Sequence, residues 1–105
     1  MESRIVIVAY QPKPGKEDEL LQLARTHYER LKKQELVSDR LPILMQAKNG
    51  TIIEVFEWKS ANAIKQAHTN PEVQKMWTEY SQVCEYIPVS KVEETSNLFC
   101  RVFTG

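Results

Sequence analysis

The chain has 105 residues, of which 42% are hydrophobic and 27% are charged, proportions typical of one globular domain with no room for a second. Its 14 basic residues balance 14 acidic ones, which argues against nucleic acid and anionic membranes as partners. The N-terminal segment lacks a basic leader followed by a long apolar region, and no stretch approaches the 18 apolar residues of a membrane span, so we expect a cytoplasmic location.

A strand and a helix are the first predicted elements. The predicted strand is Arg4 to Tyr10, in which residues 5–9 are apolar without alternation, as is typical of a strand covered on both faces. Two prolines within Gln11 to Gly15 should end its ladder, because proline has no backbone N–H to donate. Acidic residues at 17–19 and basic residues near 30–33 match the dipole of the helix that follows. Its apolar stripe, at three- and four-residue spacing, includes His27.

The dipeptide Asn49-Gly50 predicts a β-hairpin with a type I′ turn, since this turn needs positive φ at both central residues. The paired strands would be 41–48 and 51–58, and Met45 would lie opposite Glu54. Pro42 indicates that the second strand is a sheet edge. The face predicted to meet the helices carries Leu41, Ile43, Met45, Ala47, Ile52, Glu54, Phe56 and Trp58.

A broken helix and a fourth strand follow the hairpin. Ser60 is expected to cap a short helix, and Asn70-Pro71 to start a second segment with an N-cap and a first-turn proline. Residues 86–92 are then predicted as the fourth strand, and residues 98–103 as a short C-terminal strand or arm. The core of the single domain 1–105 would span about residues 4–92, with the C-terminal strand or arm in 93–105.

The order β-α-β-β-α-β predicts an α+β fold of the ferredoxin-like type, an antiparallel sheet with two helices on one face. The other face would carry Leu44, Ile53, Val55 and one apolar set of the first strand. Such a patch is larger than monomers usually expose, so we expect a second copy of the chain to cover it in a homodimer.

Three segments carry a resemblance to a known family: IVIVAYQPKPGKEDEL, GTIIEVFEWKS and AIKQAHTNPEVQKMW. They resemble the dimeric α/β-barrel superfamily that includes the antibiotic-biosynthesis monooxygenases, over about residues 4–92. The resemblance implies a barrel made from the sheets of two subunits and a ligand pocket between helices and sheet in each. It also implies either oxygenation of small aromatic or polyketide-like substrates without a cofactor, or haem degradation.

Haem degradation fits these residues least. The haem-degrading branch of the family has an asparagine on the first strand, a tryptophan on the second helix and a histidine ligand downstream. The corresponding positions here are Val8, Ala67 and a position near Thr78. Cys84 and Cys100 form neither a CxxC pair nor a disulfide framework, and the chain has no phosphate-binding glycine loop or clustered metal ligands. We therefore expect no metal and no cofactor.

Candidate catalytic residues are Glu54, His27 and His68. A carboxylate on an apolar face must be paired or protonated, and the two histidines on predicted inward faces are suitable proton acceptors near neutral pH. The alternative for Glu54 is a structural ion pair, and for the histidines a packing role. Aromatic and apolar side chains predicted to bind a small-molecule substrate are Met45, Phe56, Trp58, Trp77 and Tyr80.

The predicted function is that of a monooxygenase needing no cofactor, in which a basic side chain deprotonates a phenol or enol whose anion reacts with oxygen. An acid-base isomerase or cyclase would need the same groups. A dimer that only binds a ligand, or is purely structural, is the alternative from another class.

Overall fold

The computed structural model describes residues 3–96 and 101–103, which form one α+β domain built on an antiparallel sheet. Its strands are β1 (Arg4–Pro12), β2 (Ile43–Gln46), β3 (Ile52–Trp58), β4 (Cys84–Ile87) and β5 (Arg101–Phe103). Its helices are α1 (Glu17–Lys33), α2 (Ala61–Ala67) and α3 (Pro71–Val83), with two short 3₁₀ helices at Val89–Lys91 and Glu93–Ser96.

The strands lie in the order β4-β1-β3-β2-β5, and each neighbouring pair is antiparallel. α1, α2 and α3 pack on one face of the sheet, where two apolar clusters join helix side chains to those of β1, β2 and β3. The prediction of an antiparallel sheet with its helices on one face is thus confirmed. No helix within residues 3–96 is both long and apolar enough to cross a membrane.

The predicted helix break between α2 and α3 is confirmed. The Ser60 side chain accepts a hydrogen bond from the backbone N–H of Ala63, and so caps α2. The Asn70 side chain accepts from the N–H groups of Glu72 and Val73, and Pro71 occupies the first turn of α3, where it removes no helical hydrogen bond. These caps fix where α3 begins, and thereby which of its side chains point toward the sheet.

The loop between β2 and β3 corrects the predicted turn. The N–H of Ala47 donates to the carbonyl of Thr51 (2.8 Å), the N–H of Gly50 donates to the carbonyl of Ala47 (3.0 Å), and the Asn49 side chain accepts from the N–H of Thr51 (3.0 Å). Gly50 has φ +92°, but Asn49 does not have a positive φ. The loop therefore has three residues and ends on a left-handed glycine, and the predicted type I′ turn is wrong.

This loop shifts β2 by one residue relative to β3. Leu44 lies opposite Glu54, and Met45 lies opposite Ile53. Since successive side chains in a strand point to opposite faces, Leu44 faces the helices, whereas Ile43 and Met45 face away from them. Ala47 belongs with Ile53 to the cluster on the far face. The prediction that placed Ile43, Met45 and Ala47 on the helix face, and Leu44 on the far face, is wrong for that reason.

Three further predictions about strands are corrected. β4 spans Cys84–Ile87 rather than residues 86–92, because Pro88 lacks the N–H that would continue the ladder and 3₁₀ turns follow it. β1 continues to Pro12, which pairs with Cys84 at the end of the ladder. β2 is not an edge strand, since β5 pairs with its outer side. The predicted C-terminal strand is present at Arg101–Phe103, whereas residues 98–100, Cys100 included, lie outside the described residues.

The far face of the sheet is only partly covered. Val92, from the segment that follows β4, packs against Ala9, Ala47 and Ile53, and the Glu94 carboxylate accepts a hydrogen bond from the N–H of Lys48. The large side chains that remain exposed on this face are Ile5 (59%), Ile7 (56%) and Ile43 (51%). Val55 lies between Ile7 and Ile43 in the register and is half-buried.

Candidate functional site

The most unusual group in the core is the carboxylate of Glu54, whose exposure is 0%. Glu54 is in the middle of β3 and faces the helices, as the two-residue period of this strand predicts. It accepts a hydrogen bond of 2.8 Å from the Tyr10 hydroxyl at Oε1. Nδ1 of His27 lies 2.9 Å from Oε1 and 3.0 Å from Oε2. The prediction that a histidine lies within direct hydrogen-bond reach of Glu54 is confirmed for His27.

Three elements bring this group together. His27 comes from the inward stripe of α1, and Glu54 comes from β3. On β1, Val8 is directly opposite Glu54, so Tyr10 is the diagonal neighbour of Glu54 on the same face. Because Tyr10 is long, its hydroxyl reaches the carboxylate across that diagonal. The sheet register therefore positions two of the three groups, and the packing of α1 positions the third.

Hydrogen bonds replace the hydration that the buried Glu54 carboxyl loses. A carboxylate removed from water costs several kcal/mol unless hydrogen bonds replace its hydration. Burial, followed by the charge of Glu54, raises the pKa of Tyr10 well above its usual value, so Tyr10 stays a neutral donor. An ionised carboxylate has only acceptors, so Nδ1 of His27 is the donor in this pair when Glu54 is ionised. In the neutral imidazole this leaves Nε2 as the nitrogen with a free lone pair.

Aromatic rings surround the imidazole. The His27 ring makes edge contacts with Phe56 (5.3 Å between centroids) and Tyr80 (5.4 Å). Tyr80 stacks on Tyr10 at 4.8 Å. Tyr86, on β4, meets the rings of both tyrosines at nearly right angles, at 5.3 Å from Tyr10 and 6.4 Å from Tyr80. Tyr86 is 54% exposed, so this aromatic cluster extends from the buried carboxylate to the protein surface.

The Tyr80 hydroxyl has no hydrogen-bond partner within residues 3–96, although its side chain is buried (1% exposed). Burial, and then the charge of Glu54, raises its pKa well above the usual range, so the hydroxyl keeps its proton. A hydrogen-bonding contact with the Tyr10 hydroxyl acts on that pKa in the opposite direction, but the geometry between the two hydroxyls is not that of an ordinary hydrogen bond. Tyr80 is thus a buried donor whose ring contacts both His27 and Tyr10.

The predicted site residues separate into two groups. The structure brings His27, Glu54, Phe56 and Tyr80 into one cluster, and Trp58 joins it through a ring contact of 5.3 Å with Phe56. Trp58 is buried, at the end of β3. These five side chains lie between the sheet and the helices, where a site was expected. Their roles in binding or chemistry remain predictions.

The other predicted residues lie elsewhere. His68 is exposed at the C-cap of α2, where its ring contacts Trp77 at 5.3 Å, so it does not join His27 at Glu54 as expected. The helix ends at that position, which turns His68 toward solvent. Trp77 is half-buried on α3 and packs at the edge of the core. Met45 lies on the far face because of the one-residue shift of β2, so its assignment to the pocket is wrong.

Tyr10 is the member of the site that the sequence analysis missed. In the sequence, Tyr10 is only the last residue of the predicted first strand. Had the pairing of β1 with β3 been deduced, Tyr10 would have been placed beside Glu54 on one face. The two residues are 44 positions apart in the chain, and no local sequence signal fixes their register.

Two surface clefts lie between α1 and α3, outside this cluster. One, of about 710 Å³, is lined by charged residues that include Arg30, which is paired with Glu72 and Glu79. The other, of about 400 Å³, is lined by residues that include Leu23 and Val83. Neither includes a predicted site residue. Within the part of the chain that the structure describes, no group of three or more His, Cys, Asp or Glu side chains is placed to hold a metal ion.

Comparisons with known proteins give no match: no family model, curated protein or solved structure resembles the chain closely enough to identify a relative. The chemistry of the site must therefore be argued from its own geometry.

Proposed function

We propose that the chain is a small-molecule enzyme of the antibiotic-biosynthesis monooxygenase type, in which the Glu54–His27 pair acts as a general base. The observation that carries this proposal is the buried carboxylate held 2.9 Å from Nδ1 of His27. Such a partner fixes the tautomer and raises the basicity of the opposite nitrogen, as a general base requires. The aromatic rings around the imidazole favour a flat, electron-rich substrate such as a polyketide-like phenol or enol.

The proposed reaction begins when Nε2 of His27 removes the proton of the phenol or enol. The anion gives its electrons to molecular oxygen, and a carbon–oxygen bond forms to make a hydroperoxide. When the hydroperoxide loses water, a CH₂ group has become a ketone, so that one oxygen atom is in the product and the other is in water. The substrate supplies all the electrons, and the reaction needs no external reductant. The charge of Glu54 stabilises the imidazolium during the proton transfer.

The replacement Glu54→Gln tests this role, because it keeps the shape of the side chain and removes its charge. The probe is anthrone, whose enol form is a phenol, and the measurements are oxygen consumption and anthraquinone formation. We expect wild-type protein to accelerate both, and Glu54→Gln to lower the rate about 10²-fold. Glu79→Gln, at an ion pair on the surface of α3, serves as the control and should keep the wild-type rate. Equal rates for Glu54→Gln and wild type would refute the proposal.

Acid-base isomerisation or cyclisation is the second candidate function, since the same base would serve it. Anaerobic incubation distinguishes the two. Turnover of an enolisable substrate that continues without oxygen, and that falls in Glu54→Gln, would identify an isomerase or cyclase. A turnover that stops without oxygen supports the monooxygenase.

A non-catalytic role is favoured by one specific observation, the completeness of the burial. Glu54 is 0% exposed and His27 is 4% exposed, values that suit a structural ion pair in a core. In that case Glu54→Gln would reduce stability, and neither the wild-type protein nor the variant would accelerate the oxidation of anthrone. The anthrone assay and a urea unfolding curve on the same variant separate the two possibilities.

We further propose that two copies associate through the far face of the sheet to form a dimeric α/β barrel. The order β4-β1-β3-β2, with α1 and the α2–α3 pair as crossover connections, supports the ferredoxin-like arrangement on which this barrel is built. The exposed apolar row of Ile7, Val55 and Ile43 crosses three adjacent strands. An apolar row of this kind can pack against its own copy across a two-fold axis, and the zero net charge of the chain opposes association only weakly.

Light scattering at micromolar concentration tests this assembly. A dimer gives about twice the 12.2 kDa mass of the chain. A folded species with the mass of one chain would refute it.

A cytoplasmic location is part of the same proposal, because the thiol of Cys84 is free and buried and donates a hydrogen bond to the carbonyl of Tyr80, as suits a reducing compartment.

A further inference from the structure

We propose that the Tyr80 hydroxyl is a ligand-binding donor, which takes an oxygen acceptor on a flat aromatic molecule. The inference rests on the proposed function in one respect, that the ligand is an aromatic phenol or its anion. It adds the group that recognises the ligand's oxygen. Glu54 and His27 account for the removal of a proton, but apart from the N–H of the resulting imidazolium they give the anion no hydrogen-bond donor.

The first argument is the unpartnered hydroxyl itself. Tyr80 is 1% exposed, and its hydroxyl has no hydrogen-bond partner within residues 3–96. Buried polar groups in native proteins are almost always paired, so each exception requires an explanation. Tyr28, another buried tyrosine of this core, shows the usual arrangement, since its hydroxyl donates to the carbonyl of Ser38 at 2.8 Å. An unpaired phenol is therefore not a general feature of this core.

The second argument is the position of the Tyr80 ring. It stacks on Tyr10, whose hydroxyl donates a hydrogen bond to Glu54, and it makes an edge contact with His27. Tyr80 is thus the donor beside the base whose proton has no acceptor among the described residues. A ligand oxygen that accepts from Tyr80 would be held near the imidazole that removes its proton. The same donor would then stabilise the negative charge that forms on that oxygen.

The third argument is the connection to the surface. Tyr86 contacts both Tyr10 and Tyr80 and is 54% exposed, so the aromatic contacts of Tyr80 continue to the protein surface. Burial raises the pKa of Tyr86 to about 12, which keeps its hydroxyl neutral near neutral pH. A flat apolar ring that displaces the Tyr86 side chain would lie where an aromatic ring already makes edge contacts with Tyr10 and Tyr80. These surroundings fit an aromatic alcohol better than a charged or aliphatic ligand.

The test compares two ligands with three proteins. The ligands are 2-naphthol and naphthalene, which differ by one hydroxyl, and the proteins are wild type, Tyr80→Phe and Tyr28→Phe. Ligand fluorescence gives Kd, and urea unfolding of the free proteins gives the midpoint. Tyr28→Phe is the matched control, because it removes a buried hydroxyl that has a partner.

We expect Tyr80→Phe to weaken 2-naphthol binding about tenfold, equivalent to about 1.4 kcal/mol, and to leave naphthalene binding unchanged. In the free protein its urea midpoint should equal or exceed that of wild type, because an unpaired buried hydroxyl is removed. Tyr28→Phe should lower the midpoint and leave both Kd values unchanged.

Three results would overturn the inference. A midpoint for Tyr80→Phe as low as that for Tyr28→Phe would mean that the hydroxyl is already paired in the free protein, to Tyr10 or to a buried water. An equal loss of affinity for both ligands would mean that Tyr80 only packs. Wild-type protein that does not prefer 2-naphthol to naphthalene would show that no oxygen acceptor is recognised. The proposed function fails separately, when anthrone is not oxidised although binding of 2-naphthol depends on Tyr80.

Discussion

The two faces of the sheet carry similar apolar strands but have opposite surroundings. On the helix face, Glu54 has 0% exposure, accepts a hydrogen bond from Tyr10 and lies within hydrogen-bond distance of His27. On the far face, Ile7 and Ile43 remain more than half exposed, and the segment around Val92 covers only one end. The helix face therefore has enough cover to bury a charge, whereas the far face has apolar surface without cover.

This difference separates what each face can do. A buried charge is retained only with close hydrogen-bond partners, which places the candidate chemistry on the helix face. Exposed apolar surface gains free energy by association, which places the candidate interface on the far face. Substitutions on one face should therefore change stability and chemistry, and substitutions on the other should change assembly.

The largest expected effect is on the helix face. Glu54→Ala removes the acceptor of both Tyr10 and His27 and should lower the free energy of unfolding by about 3–5 kcal/mol, because it leaves buried polar groups unpaired. Urea unfolding of wild type and variant measures the change. Glu79→Ala is the control: its ion pair with Arg30 is partly exposed, and its loss should cost less than about 1 kcal/mol. Similar costs for the two variants would contradict the assignment of Glu54 to a tight buried network.

The next effect is on the far face. Ile7→Glu places a charge at a side chain that is 56% exposed in the single chain, so the fold should tolerate it. In a dimer the same charge would be buried, and we expect dissociation to become easier by on the order of 3 kcal/mol, or roughly 10²-fold in Kd. Sedimentation over a concentration series measures this. Thr78→Glu, at an exposed position on α3, should not change the assembly, and an unchanged Ile7→Glu dimer would place the interface elsewhere.

The smallest effect concerns the loop that assigns β2 side chains to the two faces. Gly50→Ala introduces strain at φ +92° and brings a Cβ to 3.3 Å from Cγ of Pro12, so it should cost about 1–2 kcal/mol. Gly15→Ala is a matched control, with φ +78° but no atom within 4 Å of the added Cβ. Thermal or urea unfolding should show the greater loss for Gly50→Ala. Equal losses would mean that the contact with Pro12 is unimportant.

Local patterns in the sequence were enough to predict part of the site. The two-residue period of β3 placed Glu54 toward the helices, and the stripe of α1 placed His27 inward, as the structure has them. The caps at Ser60 and Asn70 were also readable, because each is a short-range hydrogen bond.

The rest depended on interactions that no local pattern encodes. Asn49-Gly50 suits both a two-residue turn and the three-residue loop that forms, and the choice moves Met45 to the other face. Tyr10 reaches Glu54 only through the long-range pairing of β1 with β3. His68 kept the helical spacing of an inward residue, but α2 ends there and its side chain turns to solvent.

The protonation of His27 decides whether the Glu54–His27 pair can act as a general base. The base is available only if Nδ1–H donates to Glu54 and Nε2 carries no proton. A long-range ¹H–¹⁵N correlation spectrum at neutral pH identifies which ring nitrogen carries the proton. We predict a neutral imidazole with the proton on Nδ1 in wild-type protein, and a changed pattern in Glu54→Gln. A proton on Nε2, whether the ring is neutral or doubly protonated, would contradict the proposal that this pair is a general base.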